Sequence, residues 1–173
     1  MNLEQKRQII KEIKNRTKTC AYSLEVQKDR QPELLDSKFG GVPYWDMGKE
    51  YPTDSNGNKL MFLAQINLSH TRSELSFLKQ GMLQFFIGLD DVFGLDFDEQ
   101  DKQDTFRVVF HETIDESITK GQVMNLDIPY STDGQNDEYT PVYKEFAGDF
   151  EQKEDYMGEN DYRFEKMFRQ LAK

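Results

Sequence analysis

The 173 residues contain a single cysteine, Cys20. That excludes a disulfide framework and any zinc site built on paired thiolates. One thiol fits a reducing cytoplasm, which is the compartment expected for this chain. Histidine is almost as scarce, with only His70 and His111. Imidazole catalysis or zinc binding would need the two side by side with a carboxylate. No apolar run approaches the roughly 18 residues that cross a bilayer. The charged start, Met1-Asn2-Leu3-Glu4-Gln5-Lys6-Arg7, has no apolar stretch of the kind a secretion signal carries. Phosphate-binding and nucleophile motifs are missing too. Gly40-Gly41 lacks both the spacing and the Lys-Ser/Thr of a Walker loop, and there is no Gly-x-Ser-x-Gly elbow.

Positive charge is short in one half of the chain. Residues 1–89 hold 13 Lys+Arg and 10 Asp+Glu, whereas residues 90–173 hold 9 and 22, within a net charge of −10. Such a surface repels nucleic acid and anionic lipid and attracts cations or a basic protein partner. The plainer reading is that the acids keep the protein in solution. Aromatic residues are plentiful, with thirteen Phe and eight Tyr. That is too many for a disordered chain and enough for the core of a single domain over residues 1–173.

Hydrophobic periodicity sets the expected elements. Leu3, Ile9, Ile10 and Ile13 recur near a 3.6 period and predict an N-terminal helix over 3–16. Cys20, Tyr22, Leu24 and Val26 alternate with Ala21, Ser23 and Glu25, as in a strand with one buried face that would include the cysteine. Leu60–Leu68 and Met82–Ile87 are apolar on both sides and suit central strands. Phe106–His111 predicts a further strand, and Gln122–Ile128 another, stopped by Pro129. Phe164, Met167, Phe168 and Leu171 form an amphipathic helical stripe at the C-terminus. The expected class is β-rich α+β: a mostly antiparallel sheet of four to six strands with a helix at each end.

One motif stands out: Ser37-Lys38-Phe39-Gly40-Gly41-Val42-Pro43-Tyr44-Trp45, followed by Met61-Phe62-Leu63-Ala64-Gln65-Ile66-Asn67. Two glycines allow positive φ, and Pro43 then fixes the next φ, so that the aromatics behind it can be aimed inward. With the blocks 60–69 and 79–112, this stretch resembles the YwqG-like family of uncharacterised bacterial proteins. The resemblance is strongest over 35–115. It implies a β-rich, roll-like sheet and supplies no catalytic residues, because the family has no established activity. It also implies a second half that repeats the Gly-Gly-x-Pro turn, which this chain does not contain. The expectation is a C-terminally shortened member whose uncovered sheet surface favours a homodimer.

The candidate site residues follow from these patterns. Asp96, Asp98, Asp101 and Asp104 lie in the acidic stretch 90–104 and would suit Ca²⁺ if the loop curled around it. Their spacing is not that of an EF-hand. The competing expectation is a solvated loop held to the core by Phe93, Leu95 and Phe97. Gly40, Gly41, Pro43, Trp45, Gln65 and Asn67 are expected to be architectural. A buried amide needs a partner, and the nearby turn can provide one. Trp45, Tyr44 and Tyr51 are expected to pack around Pro43 and Pro52. The functional expectation is a non-enzymatic interaction protein whose acidic half meets a basic protein partner, an immunity-type protein being the specific version. The alternative is a metal- or small-ligand-binding module, or an enzyme, using His111, Glu112 and the acidic loop. A structural remnant without a role of its own is the third reading.

Overall fold

The computed structural model of the chain describes residues 1–70, 80–129 and 141–172. Its elements run α1 (Leu3–Thr17), β1 (Thr19–Gln27), β2 (Lys38–Phe39), β3 (Met61–Asn67), β4 (Met82–Ile87), β5 (Phe106–His111), α2 (Lys120–Met124), β6 (Phe146–Asp155) and α3 (Phe164–Leu171), with a 3-10 turn at Leu68–His70. Six strands make one open sheet in the order β1-β6-β2-β3-β4-β5. The pairs β6–β2, β2–β3, β3–β4 and β4–β5 are antiparallel. The fold is β-rich α+β, with a helix near each end. No helix among the described residues is long and apolar enough to cross a membrane.

The chain divides into two compact units, Leu24–Phe150 and the two terminal segments Met1–Ser23 and Glu151–Lys173. In the terminal unit, α1 opens with a capping box in which Asn2 and Gln5 satisfy each other's backbone amides. Of its four apolar positions only Ile9 and Ile13 are buried, while Leu3 and Ile10 face outward. The half-buried residues of α3 include the predicted stripe, Phe164, Met167, Phe168 and Leu171, with the two phenylalanine rings stacked at 6.2 Å. Cys20 is exposed rather than on a buried strand face, and its sulfur accepts from Gln152 Nε2 at 3.1 Å. Around it Thr19 is exposed and Ala21, Tyr22 and Ser23 are only half-buried, so this end of β1 has no closed apolar face.

In the central unit, the strands β3, β4 and β5 read out their own alternation. Registers Asn67↔Met82↔His111, Gln65↔Gln84↔Val109 and Phe62↔Phe86↔Arg107 place these residues on one face. Val42, Tyr44, Trp45, Leu60, Ile118, Val123 and Ile128 pack with Phe62, Met82 and Phe86 of that face to form the core. Ile66, Leu83, Phe85 and Ile87 alternate to the other side and are half-buried. The register of β3 against β4 shifts between Phe62 and Ala64. At that bulge the Leu63 carbonyl turns to accept from Gly40 N at 2.9 Å.

Two elements differ from the sequence expectation. Gln122–Ile128 is not a strand, because Thr119 and Gln122 form a capping box that starts α2 at Lys120. Val123 and Ile128 still point into the core, which is why the stretch looked like a buried strand. The strand β6 was not expected, since Glu151-Gln152-Lys153-Glu154-Asp155 has no apolar alternation. It is held in the sheet by backbone pairing, which leaves no mark on side-chain pattern.

Candidate functional site

The Gly-Gly-x-Pro turn is built as the sequence suggests. Gly40 and Gly41 have φ of +62° and +71°. A Cβ on Gly40 would lie 2.7 Å from the Lys144 carbonyl oxygen, and one on Gly41 would lie 2.6 Å from the Glu145 carboxyl carbon. Both positions therefore need glycine for conformation and for space. Lys38, fully buried beside this turn, donates to Glu145 at 2.8 Å, and Lys120 reaches the second oxygen of the same carboxylate at 3.0 Å. Burial pulls the Lys38 pKa below its ordinary value, and the Glu145 bond and charge act against that. Lys38 and Glu145 are 107 residues apart, and no local pattern links them.

Beyond the turn, three strands present a chain of buried amides. Gln65 Oε1 accepts from Tyr44 N at 2.9 Å, and Gln65 Nε2 donates to the carbonyls of Leu34 at 2.7 Å and Asp36 at 2.8 Å. Gln84 Nε2 donates to the Tyr44 carbonyl at 2.6 Å and to Gln65 Oε1 at 3.2 Å. That leaves Gln84 Oε1 as acceptor for His111 Nε2 at 3.0 Å. Proton bookkeeping then fixes the tautomer: Nε2 carries the hydrogen, and the Nδ1 lone pair faces Lys49 Nζ at 3.4 Å. His111 is 1% exposed and boxed by the rings of Tyr44 and Trp45 at 5.3 and 5.1 Å. Burial, followed by the Lys49 charge, lowers its pKa to about 4. Asn67 completes the clamp: its N donates to Ser37 Oγ, its Nδ2 to the Leu35 carbonyl, and its Oδ1 accepts from Ser69 N.

This arrangement holds a loop to a sheet. His111 makes no hydrogen bond to a carboxylate, and the Asp46 charge that raises its basicity is outweighed by burial and Lys49. Most of the network's polar atoms bond the backbone of residues 34–44. Gln84 was as readable as Gln65, being an amide inside an apolar strand, but it did not stand out in the sequence. Trp45 and Tyr44 are deeply buried, and Tyr51 packs on Trp45 at 5.1 Å. Pro43, immediately before Tyr44, is buried too.

The acidic stretch lies at the other end of β4–β5. His111 pairs with Met82, whereas loop 88–105 joins Ile87 to Phe106. About five residue steps of strand, roughly 17 Å, separate the two ends. The structure therefore does not bring His111 to the acidic loop. Glu112 is exposed at the His111 end, in a shallow groove with Asn67, Gln80 and Glu116. The reading that pairs both histidines rests on the His70 side chain, which lies outside the described residues.

Within the loop, Asp90 and Asp96 each serve their own turn. Asp90 Oδ1 accepts from Val92 N and Gly94 N. Asp96 Oδ1 accepts from Asp98 N and Glu99 N at 2.9 Å, bonds that lower its pKa, with the Glu99 amide the larger cause. Asp104 accepts from Ser55 N at 2.7 Å, and Lys102 pairs with Glu99 at 3.0 Å. Asp101 is exposed. Among the described residues no three His, Cys, Asp or Glu are placed to hold a metal ion. The loop neck closes through Gly88 N to the Thr105 carbonyl at 2.7 Å and Thr105 Oγ1 to the Gly94 carbonyl at 2.6 Å.

The apolar residues of this loop do not anchor it. Phe97 is 71% exposed, and Leu89, Phe93 and Leu95 are exposed with it. The neck is held by hydrogen bonds, and Phe93 sits at φ +56° next to Gly94 at +81°. β5, the last strand of the sheet, adds exposed Val108 and Phe110 nearby.

Residues 37–173 match the family described as a domain of unknown function, DUF1963. The chain belongs to that family. No curated protein matches this DUF1963 chain.

Proposed function

We propose that this DUF1963 chain is a non-enzymatic binding protein that engages a basic protein partner through loop 88–105, with which its acidic half begins. One observation carries the reading: the loop combines seven carboxylates over 90–104 with four exposed apolar side chains, and its neck is already closed by hydrogen bonds. A loop that served only solubility would gain nothing from exposing Phe97. Acidic charge steers a cationic partner, and apolar side chains then hold it. The specific version is an immunity-type protein that neutralises a cationic toxin, for which fast steered association is an advantage. Within DUF1963 the motifs at 37–45, 60–69 and 79–112 support a YwqG-like bacterial member, and the free exposed thiol of Cys20 suits the cytoplasm.

The test is binding of a lysine-rich peptide to the full chain by fluorescence anisotropy. Raising salt from roughly 50 to 500 mM, where screening becomes short-ranged, is expected to weaken it strongly. The triple change Asp91→Asn, Asp98→Asn, Asp101→Asn, at carboxylates that accept no hydrogen bond among the described residues, is expected to cost roughly tenfold in affinity. Binding that ignores both salt and these changes contradicts the proposal.

A further inference from the structure

The outer edge of β5 is shaped to accept another strand. The bond from Gly88 N to the Thr105 carbonyl fixes the phase of the β4–β5 ladder. Thr105, Arg107, Val109 and His111 turn their backbone groups to β4, and Phe106, Val108 and Phe110 turn theirs outward. Among the described residues neither the Phe106 nor the Phe110 amide has a partner. The Val108 amide between them donates to Gln103 Oε1 at 2.7 Å. Gln103 is an exposed loop residue whose side-chain carbonyl stands where the carbonyl of a neighbouring strand would stand. β5 has no proline, no lysine and no bulge against β4; among the described residues its edge is guarded only by the Gln103 side chain and by the charge of Arg107 on the core face.

We propose that β5 binds its partner by strand addition, taking an extended segment with an apolar centre and basic ends that displaces Gln103 from the Val108 amide. This rests on the acidic-loop reading above and gives it a geometry. Charge argues for that occupant. The acidic loop lies at the Phe106 end of the edge, and Glu112 and Glu116 are exposed beyond the His111 end, with Lys49 on the core side as an opposing charge, so carboxylates outnumber cations around the edge. Val108 and Phe110 offer the incoming strand apolar cross-strand neighbours between them. A second copy of the chain, itself at net charge −10, carries the wrong sign for this edge.

The test uses the full chain and a labelled peptide with lysines at both ends of a Val-Thr-Val-Thr-Val centre. The control is the same peptide with its central backbone amides N-methylated, which keeps the charge and removes strand pairing. The expected result is slowed hydrogen exchange at Phe106, Val108 and Phe110, with the control at least tenfold weaker in anisotropy. Gln103→Ala, at an exposed side chain, is expected to tighten binding about threefold by freeing the Val108 amide. If the methylated control binds equally well and both respond to salt, strand addition is overturned while the acidic-surface reading stands. If neither peptide binds at about 1 mM, both fail. If the three amides are protected without peptide, and more so as protein concentration rises, the edge belongs to a second copy and the proposal is overturned.

Discussion

The two ends of the β4–β5 hairpin treat polar and apolar groups in opposite ways. At the His111 end, the amides of Gln65, Gln84 and Asn67 and the imidazole are buried and bonded to one another or to backbone. At the Ile87–Phe106 end, carboxylates and apolar side chains are exposed together, and the loop is held only at its neck. A fully bonded buried network fixes one conformation, which is what a scaffold needs. Exposed apolar groups set among charges do nothing for the isolated fold and suit contact with another molecule. On the proposed reading, the first end builds the fold and the second is the surface that meets a partner.

Substitutions at the two ends should therefore fall on different observables. The largest expected effect is Gln65→Leu, which leaves the Tyr44 amide and the Leu34 and Asp36 carbonyls without their partner. It should cost about 3–5 kcal/mol in urea unfolding. A loss under about 1 kcal/mol would mean the network is not what holds residues 34–44 to the sheet. Gly41→Ala comes next, at about 2–4 kcal/mol, because it combines positive-φ strain with a collision against Glu145. Gly57→Ala is the control: φ is +83° there but the space is open, so only the strain of about 1 kcal/mol should appear. Equal costs at the two glycines would remove the close-approach argument.

The histidine gives the comparison a pH dependence. Its ordinary value of 6.5 falls to about 4 in the fold, so between those values the unfolded chain takes up a proton that the folded chain refuses. The stability associated with neutral His111 is complete above pH 6.5 and drains away as pH falls toward 4. The loss should be on the order of 2–3 kcal/mol. Urea midpoints taken stepwise across that range should slope in the natural chain and flatten in His111→Gln. The smallest stability effect belongs to the open end: Phe97→Ser should change stability by no more than about 0.5 kcal/mol, yet weaken binding of the lysine peptide. A large destabilisation would show that Phe97 serves the core after all.

Where burial and alternation coincide, the sequence was a good guide. Met82–Ile87 and Phe106–His111 match β4 and β5 residue for residue, because a strand with a buried face needs apolar side chains at fixed parity, whether it lies inside the sheet, as β4 does, or at its edge, as β5 does. The glycine pair was legible because few other residues can take two consecutive positive φ values. β6 was hidden by its charged sequence, and the bond from Lys38 to Glu145 by 107 intervening residues. The loop was misjudged at Phe93, Leu95 and Phe97 for a different reason. An aromatic in a turn is assumed to seek the core, and nothing local in the sequence reveals that Gly88, Gly94 and Thr105 already close the neck.

The central claim is that this chain meets its partner at the acidic, open end of the hairpin. An amide chemical-shift map of the full chain titrated with the lysine peptide tests that most directly. The account predicts shifts concentrated in residues 88–110 and near silence at Ser37–Trp45. Shifts centred on the Gly-Gly-x-Pro turn and His111, or spread evenly over the acidic half, would contradict it.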